Sequence, residues 1–321
     1  MPASMLDFSI SPQQLDAAAE FLAQEGLCSP LIQYEECGEI FLKCENLLPT
    51  GSFKIRAASW ALQNYQSEIQ GEGVWTASAG NMGRALAWRA KKKGIPCTII
   101  VPHDAPTIKT QAMERYGARL ISVPFEAYQQ VQVKNLHPGM RGKLIHPFAD
   151  RAVITANAVI GREVLEQAGE VDALFIPYGG GGLTCGVAQA VKMFKPEIKI
   201  IACEVETAAP LTASLKAGKP ENVVYRASFV SGMGAPFVFP QMWPWVKKVV
   251  DETSVVSLAE VAEGIKQLAV CQHVVVEGAG AVSLAAALKN RHRFRKIVCI
   301  LSGGNIDLDV FRRALDGTLS E

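Results

Sequence analysis

The segment Pro49-Thr50-Gly51-Ser52-Phe53-Lys54-Ile55-Arg56 places an amine where it could act as a nucleophile. Pro49 and Gly51 make a tight turn, Ser52 is a candidate N-cap, and Ile55, Ala58, Ser59 and Leu62 recur at helical spacing. That spacing predicts Lys54 in the first helical turn, where the positive end of the helix dipole disfavours a cation. The same field, with burial, would lower the pKa of the amine. Alone, the segment fits a solvated helix lysine equally well. A second signal is Gly179-Gly180-Gly181-Gly182-Leu183, between a strand pattern and a helical one. Glycines let backbone N–H groups close on an oxyanion, and a helix N-terminus favours negative charge, so phosphate is the natural guest. The alternative is a turn that serves only close helix packing. The run is neither G-x-G-x-x-G nor a P-loop, since no Lys-Ser/Thr follows.

Two more polar loops, Ser78-Ala79-Gly80-Asn81 and Ser302-Gly303-Gly304-Asn305, also follow predicted strands. In open parallel sheets, ligands lie outside the carboxyl ends of strands, which is the reason to assemble these loops into one site. The elements that must position them alternate. Val74–Ala77, Cys97–Val101, Ala118–Ser122 and Lys143–Ile145 read as strands, with helices over about 82–93, 107–116 and 125–135. The alternation resumes with a helix over 154–167, a strand Ala173–Pro177, a helix through Lys192 and a strand Lys199–Val205. Helices near 258–271 and 280–289 precede the strand Lys296–Leu301, and a last helix covers about 307–315. Residues 220–250, carrying prolines and two tryptophans, read as irregular. At the start, Ser11-Pro12 opens a helix that Gly26 ends, and Glu39–Lys43 is a short strand. The expected fold is α/β with two parallel-sheet domains. Residues 73–149 form the smaller, inserted in a discontinuous larger one made of 1–72 and 150–321.

Composition narrows the classes. The 321 residues are 49% hydrophobic, ample for a large core, and the formal net charge of +1 favours neither nucleic acid nor an anionic membrane. No apolar run reaches membrane-spanning length. The start, Met1-Pro2-Ala3-Ser4-Met5-Leu6-Asp7, lacks the basic and apolar regions of a secretory leader. Cys28, Cys37, Cys44, Cys97, Cys185, Cys203, Cys271 and Cys299 form no C-x-x-C pair, and free thiols in a reducing cytoplasm are expected.

The four motifs, in this order and over nearly the whole chain, resemble the fold-type II pyridoxal-phosphate enzymes, whose fold is tryptophan-synthase-β-like. The serine/threonine dehydratase and serine racemase branch is the most similar. The resemblance implies pyridoxal 5′-phosphate held covalently as a Schiff base on Lys54, with its phosphate on Gly179, Gly180, Gly181, Gly182 and Leu183. It places Phe53 beside the ring, Asn81 on the ring's 3′ oxygen and Ser302 facing the pyridine nitrogen. A serine there gives a weaker electron sink than an aspartate would, which suits β-elimination over transamination. Glu277, in Val276-Glu277-Gly278-Ala279-Gly280, resembles a family glutamate near the cofactor. Its other reading is a solvated carboxylate at a helix start. Ser78, Ala79, Gly80 and Asn81 would take the substrate carboxylate, with Ser78 and Lys54 as the catalytic pair. Asn81 and Ser302 also fit plain helix caps.

The implied activity is a lyase that removes water, then ammonia, from a 3-hydroxy amino acid to give a 2-oxo acid. An acid, for which the cofactor phosphate is the candidate, helps the hydroxyl leave. Racemases of the group carry a serine acid/base where Ala79 stands, and a methyl group moves no proton. Racemisation, β-replacement and non-catalytic cofactor binding remain the alternatives. The resemblance also implies a homodimer, and the short stretch after the last helix leads us to expect no regulatory domain.

Three departures concern the substrate. Met82 replaces a usual histidine, Ala156-Asn157-Ala158-Val159 stands for Gly-Gln-Gly-Thr, and Ser231-Gly232-Met233-Gly234-Ala235-Pro236-Phe237 is unlike the usual loop. These changes point to a larger or aromatic β-substituent. Glu204 matches a cation ligand of some relatives, but Pro210 stands where the aspartate would, so no metal is expected.

Overall fold

The computed structural model describes residues 7–319, so all but the last residue of the stretch read for a leader, Met1 to Asp7, lies outside them. Helix α1 (Pro12–Gln24) starts at the Ser-Pro pair. It is closed by a reciprocal box between Ser11 and Gln14, and Gly26 follows it at φ 67°. Strands β1 (Leu31–Gln33) and β2 (Ile40–Lys43) then pair antiparallel. After helix α2 (Lys54–Asn64) come β3 (Val74–Ala77), α3 (Asn81–Lys93), β4 (Cys97–Pro102) and α4 (Thr107–Arg115). Next are β5 (Arg119–Val123), α5 (Phe125–Lys134) and β6 (Lys143–Leu144). The second run holds α6 (Arg151–Ala168), β7 (Ala173–Pro177), α7 (Gly182–Phe194), β8 (Lys199–Val205), α8 (Pro210–Ala217) and α9 (Trp243–Val249). It ends with β9 (Glu252–Val256), α10 (Leu258–Cys271), α11 (Gly278–Asn290), β10 (Ile297–Ile300) and α12 (Leu308–Leu315).

The strands form two sheets. One has the order β5-β4-β3-β6 and is parallel throughout. The other has the order β1-β2-β10-β7-β8-β9 and is parallel except for β1 at its edge. The N-terminal strand β2 enters this larger sheet beside β10, Lys43 opposite Ile300, as the sequence leads one to expect. Strands β3, β7 and β10 are buried along their whole length, so their near-continuous apolar runs mark sheet centres. The stretch read as irregular contains α9, and β1, α8 and β9 were not anticipated.

Helix α6 is apolar nearly all round and is buried between α2 and α7. Two glycines let α6 and α7 close on each other. A Cβ on Gly161 would lie 2.5 Å from the Val187 carbonyl, and one on Gly186 would lie 2.5 Å from that of Ile154. The start of α2 is pinned by buried ions. Arg56 bonds Glu45 through Nε and Nη2, both at 2.8 Å, and Glu163 through both terminal nitrogens. Lys43 adds bonds to Glu163, Gln167 and the Ser29 carbonyl. Two cations meet two carboxylates, so the cluster is neutral and its partners answer one another. Burial alone would raise the Glu163 pKa, but Arg56 and Lys43 hold it below the usual carboxylate value. Of the eight thiols, Cys28 is exposed and Cys271 partly so; the rest are buried. Among the described residues, no helix is long and apolar enough to cross a membrane.

Candidate active site

A cleft of about 590 Å³ opens at the carboxyl ends of β3 and β7. Phe53, Lys54, Ser78, Ala79, Gly80, Asn81, Gly179, Gly180, Gly181, Gly182, Leu183, Glu277 and Ser302 all line it. The four loops singled out in the sequence therefore meet in one place.

Lys54 is the first residue of α2. Ser52, expected as its cap, is instead extended (φ −167°, ψ 162°) and pairs with Gly303 as a β-bridge, its buried hydroxyl without a partner among the described residues. The chain is turned into α2 by a 3₁₀ turn over Pro49–Gly51 in which Thr50 and Gly51 hold φ 67° and 76°. The Lys54 ammonium lies 4.7 Å from the Phe53 ring centroid and donates to the Pro147 carbonyl at 2.5 Å. Burial lowers its pKa to about 7. The carbonyl is presented by a turn that His146 builds: its Nδ1 accepts from the backbone N–H of Ala149 at 2.8 Å and of Phe148 at 3.3 Å. Burial pulls the His146 pKa down to about 4, so the ring is neutral and its Nε2–H donates to the Gln132 carbonyl at 2.9 Å.

Both readings of the glycine run hold, for different glycines. A Cβ on Gly180 would collide with the Phe148 ring, and one on Gly182 would lie 2.6 Å from the Phe148 carbonyl. Gly181 stands at φ 87°, a conformation that other residues rarely adopt. Helix α7 starts at Gly182 with no side-chain cap, so the N–H groups of its first turn lack intrahelical acceptors at the cleft wall. An uncapped helix start behind a glycine run, facing a cleft that also holds an amine whose pKa burial lowers, fits the phosphate and aldehyde ends of pyridoxal phosphate.

Asn81 opens α3, and Gly80 holds the N-cap position, so the capping role considered for Asn81 falls away. Its amide is oriented by neighbours. Oδ1 accepts from Asn305 Nδ2 at 2.8 Å, and Nδ2 donates to Glu277 at 2.6 Å. Asn305 is itself fixed, donating to the Thr50 carbonyl at 2.8 Å and accepting from Arg84 at 2.7 Å. One Asn81 N–H proton is left for a ligand. Glu277 is half-buried at the start of α11, and burial pushes its pKa up to about 7 against the Asn81 bond. Ser302 is buried, its hydroxyl reaching the Ala279 carbonyl at 3.3 Å. Asp307, not Ser302, caps α12. Ser78 is buried and accepts from the Gly80 N–H at 3.3 Å, and Ala79 presents only a methyl group.

The departures separate. Met82 and the loop over 231–237 line the cleft, but Ala156 to Val159 are buried in α6 away from it. Asn157 there donates to the Gly182 carbonyl at 3.0 Å, which supports α7 rather than reading a substrate. Glu204 accepts from the N–H groups of Leu211 and Thr212, both at 2.8 Å, and from the Thr212 hydroxyl at 2.6 Å. Its carboxylate is thus the cap of α8. Sequence reasoning missed Lys109, Tyr128, Gln132 and Tyr225, which complete the lining. Tyr128 and Gln132 are four apart on α5, a spacing that marks one helix face but gives no hint of what it faces.

Residues 24–303 match the family described as pyridoxal-phosphate dependent enzyme. An L-threonine ammonia-lyase of Thermotoga maritima is 37% identical over 286 residues, covering 87% of this chain and 70% of that protein. A serine racemase of Oryza sativa subsp. indica is 35% identical, covering 86% and 84%. The solved structure of maize serine racemase superposes with a TM-score of 0.83 at 31% identity, over 98% of both chains.

Proposed function

The chain belongs to the family of pyridoxal-phosphate dependent enzymes, and from that premise we propose that it is a lyase for 3-hydroxy amino acids, releasing a 2-oxo acid and ammonia. The observation that carries this reading is the meeting of the Lys54 amine and the glycine-backed start of α7 in one cleft.

Lys54 would hold the cofactor as a covalent imine, the N–H groups from Gly179 to Leu183 would take its phosphate, and Phe53, Asn81, Glu277 and Ser302 would hold its ring. Pyridoxal phosphate, when bound, supplies the sink for electrons released at the substrate Cα. Lys54, whose pKa burial lowers to about 7 so that a substantial share is uncharged at neutral pH, takes the α-proton. The uncapped N-terminus of α3 and Ser78 hold the substrate carboxylate, since N–H groups at a helix start carry partial positive charge. The cleft wall formed by Met82, Phe125, Met233 and Phe237 is apolar, which supports a substrate whose β-substituent is larger than a methyl group or aromatic.

Racemisation is the second reading, favoured by the serine racemase relatives and opposed by Ala79. A carrier that binds the cofactor without turnover has no use for a lysine of lowered pKa beside it. Residues 73–149 are taken to fold as a unit inserted between 1–72 and 150–321, and the protein to act as a cytoplasmic homodimer. Light scattering at twice the 34.6 kDa chain mass supports the dimer; a single-chain mass rejects it.

The test is a panel of 3-hydroxy amino acids assayed for 2-oxo acid with wild type and Lys54→Ala. Turnover by wild type alone, fastest on bulky β-substituents, supports the reading. Wild-type rates in the variant would end it, and turnover of serine or threonine only would reject the bulky-substituent part.

A further inference from the structure

We propose that Tyr128 is the acid that protonates the departing β-hydroxyl group. This rests on the lyase reading above and adds to it a residue on α5 that no motif marks. Tyr128 lines the cleft from α5, which packs on β3 and β4. Its hydroxyl oxygen accepts from Gln132 Nε2 at 3.1 Å. The same nitrogen donates to the Ala77 carbonyl at 3.1 Å, which fixes the Gln132 amide the donor way round. The phenol oxygen thus faces an amide donor, and among the described residues the phenol proton has no acceptor. A hydroxyl in that setting keeps its proton free to give, and the cleft that Tyr128 lines is where a leaving group would take it.

Tyr128 is thus an alternative to the cofactor phosphate as the acid for the leaving hydroxyl. As the Cβ–O bond breaks, its electron pair leaves with oxygen; the Tyr128 O–H bond breaks and a new O–H bond forms on the leaving group, so water departs. Burial pushes the phenol up to about 12, which keeps it protonated at neutral pH. It is still a stronger acid than water, whose pKa is about 15.7. The phenolate left behind is held by the Gln132 N–H donor and regains its proton from solvent at the cleft mouth. Through Gln132, which also bonds the Ala77 carbonyl, the Tyr128 hydroxyl is tied to the strand end that leads into the Ser78–Asn81 loop.

The test exploits the leaving group. Chloride needs no proton to depart, so 3-chloroalanine bypasses the acid. With Tyr128→Phe, kcat for a 3-hydroxy substrate should fall on the order of 10²- to 10⁴-fold, while elimination from 3-chloroalanine stays within about threefold. The solvent deuterium isotope effect on the hydroxy substrate should change with it, and the apo-protein's affinity for pyridoxal phosphate should not. Equal loss on both substrates, or loss on neither, overturns the proposal while leaving the lyase reading intact. A wild type that eliminates from neither substrate overturns both.

Discussion

Two sets of helix starts in this molecule are built oppositely. Outside the cleft lining, Ser11, Asp150, Ser257 and Asp307 cap α1, α6, α10 and α12 with their own side chains. At the cleft, α2, α3, α7 and α11 begin without any side-chain cap. A cap satisfies orphan N–H groups and ends their interest in ligands; leaving it out stores binding capacity at some cost in stability. The cleft helices are held by other means. The start of α2 is anchored by the Arg56 ion cluster, α7 by glycine contacts with Phe148, and α3 by the amide chain through Asn305.

The largest expected effect breaks the substitute for a cap. Glu163→Gln leaves Arg56 and Lys43 short of one buried negative charge and should destabilise the fold by ~3–5 kcal/mol, read by denaturant unfolding. A loss below about 1 kcal/mol would mean that the cluster does not anchor α2. Next, Gly182→Ala presses a Cβ onto the backbone carbonyl of Phe148, which cannot swing away. It should cost ~1–3 kcal/mol and weaken pyridoxal phosphate binding at least tenfold by titration. Gly80→Ala is the matched control, since nothing lies within 4 Å of the added methyl, and stability should hold. Removing a cap outside the cleft lining sharpens the contrast: Ser257→Ala should lose ~1 kcal/mol of stability and leave cofactor affinity unchanged.

The smallest effect is a slope against pH. The folded-state pKa of Glu277 is raised from 4.5 to about 7 by burial, so the stability it contributes is complete below pH 4.5 and is lost as pH rises through about 7. Glu277→Gln removes that loss. In apo-protein melts, the variant should gain on wild type between pH 4.5 and 7, and a constant difference would show that the carboxyl does not titrate there.

The same division explains what the sequence reveals. Apolar runs such as Ala173–Pro177 and Lys199–Val205 are sheet centres, and their bounds are legible because burial on both faces dictates every residue. Edge elements are not: β9 opens on Glu252, Thr253 and Ser254, and β1 spans only Leu31–Gln33. Helix α8 is capped by Glu204, a residue before its own start, so no local cap signals it. In α9, Pro244 sits at the permitted first turn of a seven-residue helix, where it reads as a breaker. In the site, Lys54, Asn81 and the glycine run lie on loops whose residue types are tied to local backbone. Tyr128 and Lys109 reach the cleft only because β3, β4 and β5 stack α4 and α5 beside it, a tertiary fact without a local pattern. Ser52 misled for a related reason: it looks like a cap, but the strand-end loop at Gly303 claims its backbone.

The account turns on which amine holds the cofactor. Protein loaded with pyridoxal phosphate, reduced with borohydride, digested and mapped by mass spectrometry answers that directly. The account predicts the visible absorbance band lost on reduction and the pyridoxyl mass on the peptide carrying Lys54. A protein that stays colourless in excess cofactor, or the label on any other lysine, would contradict it.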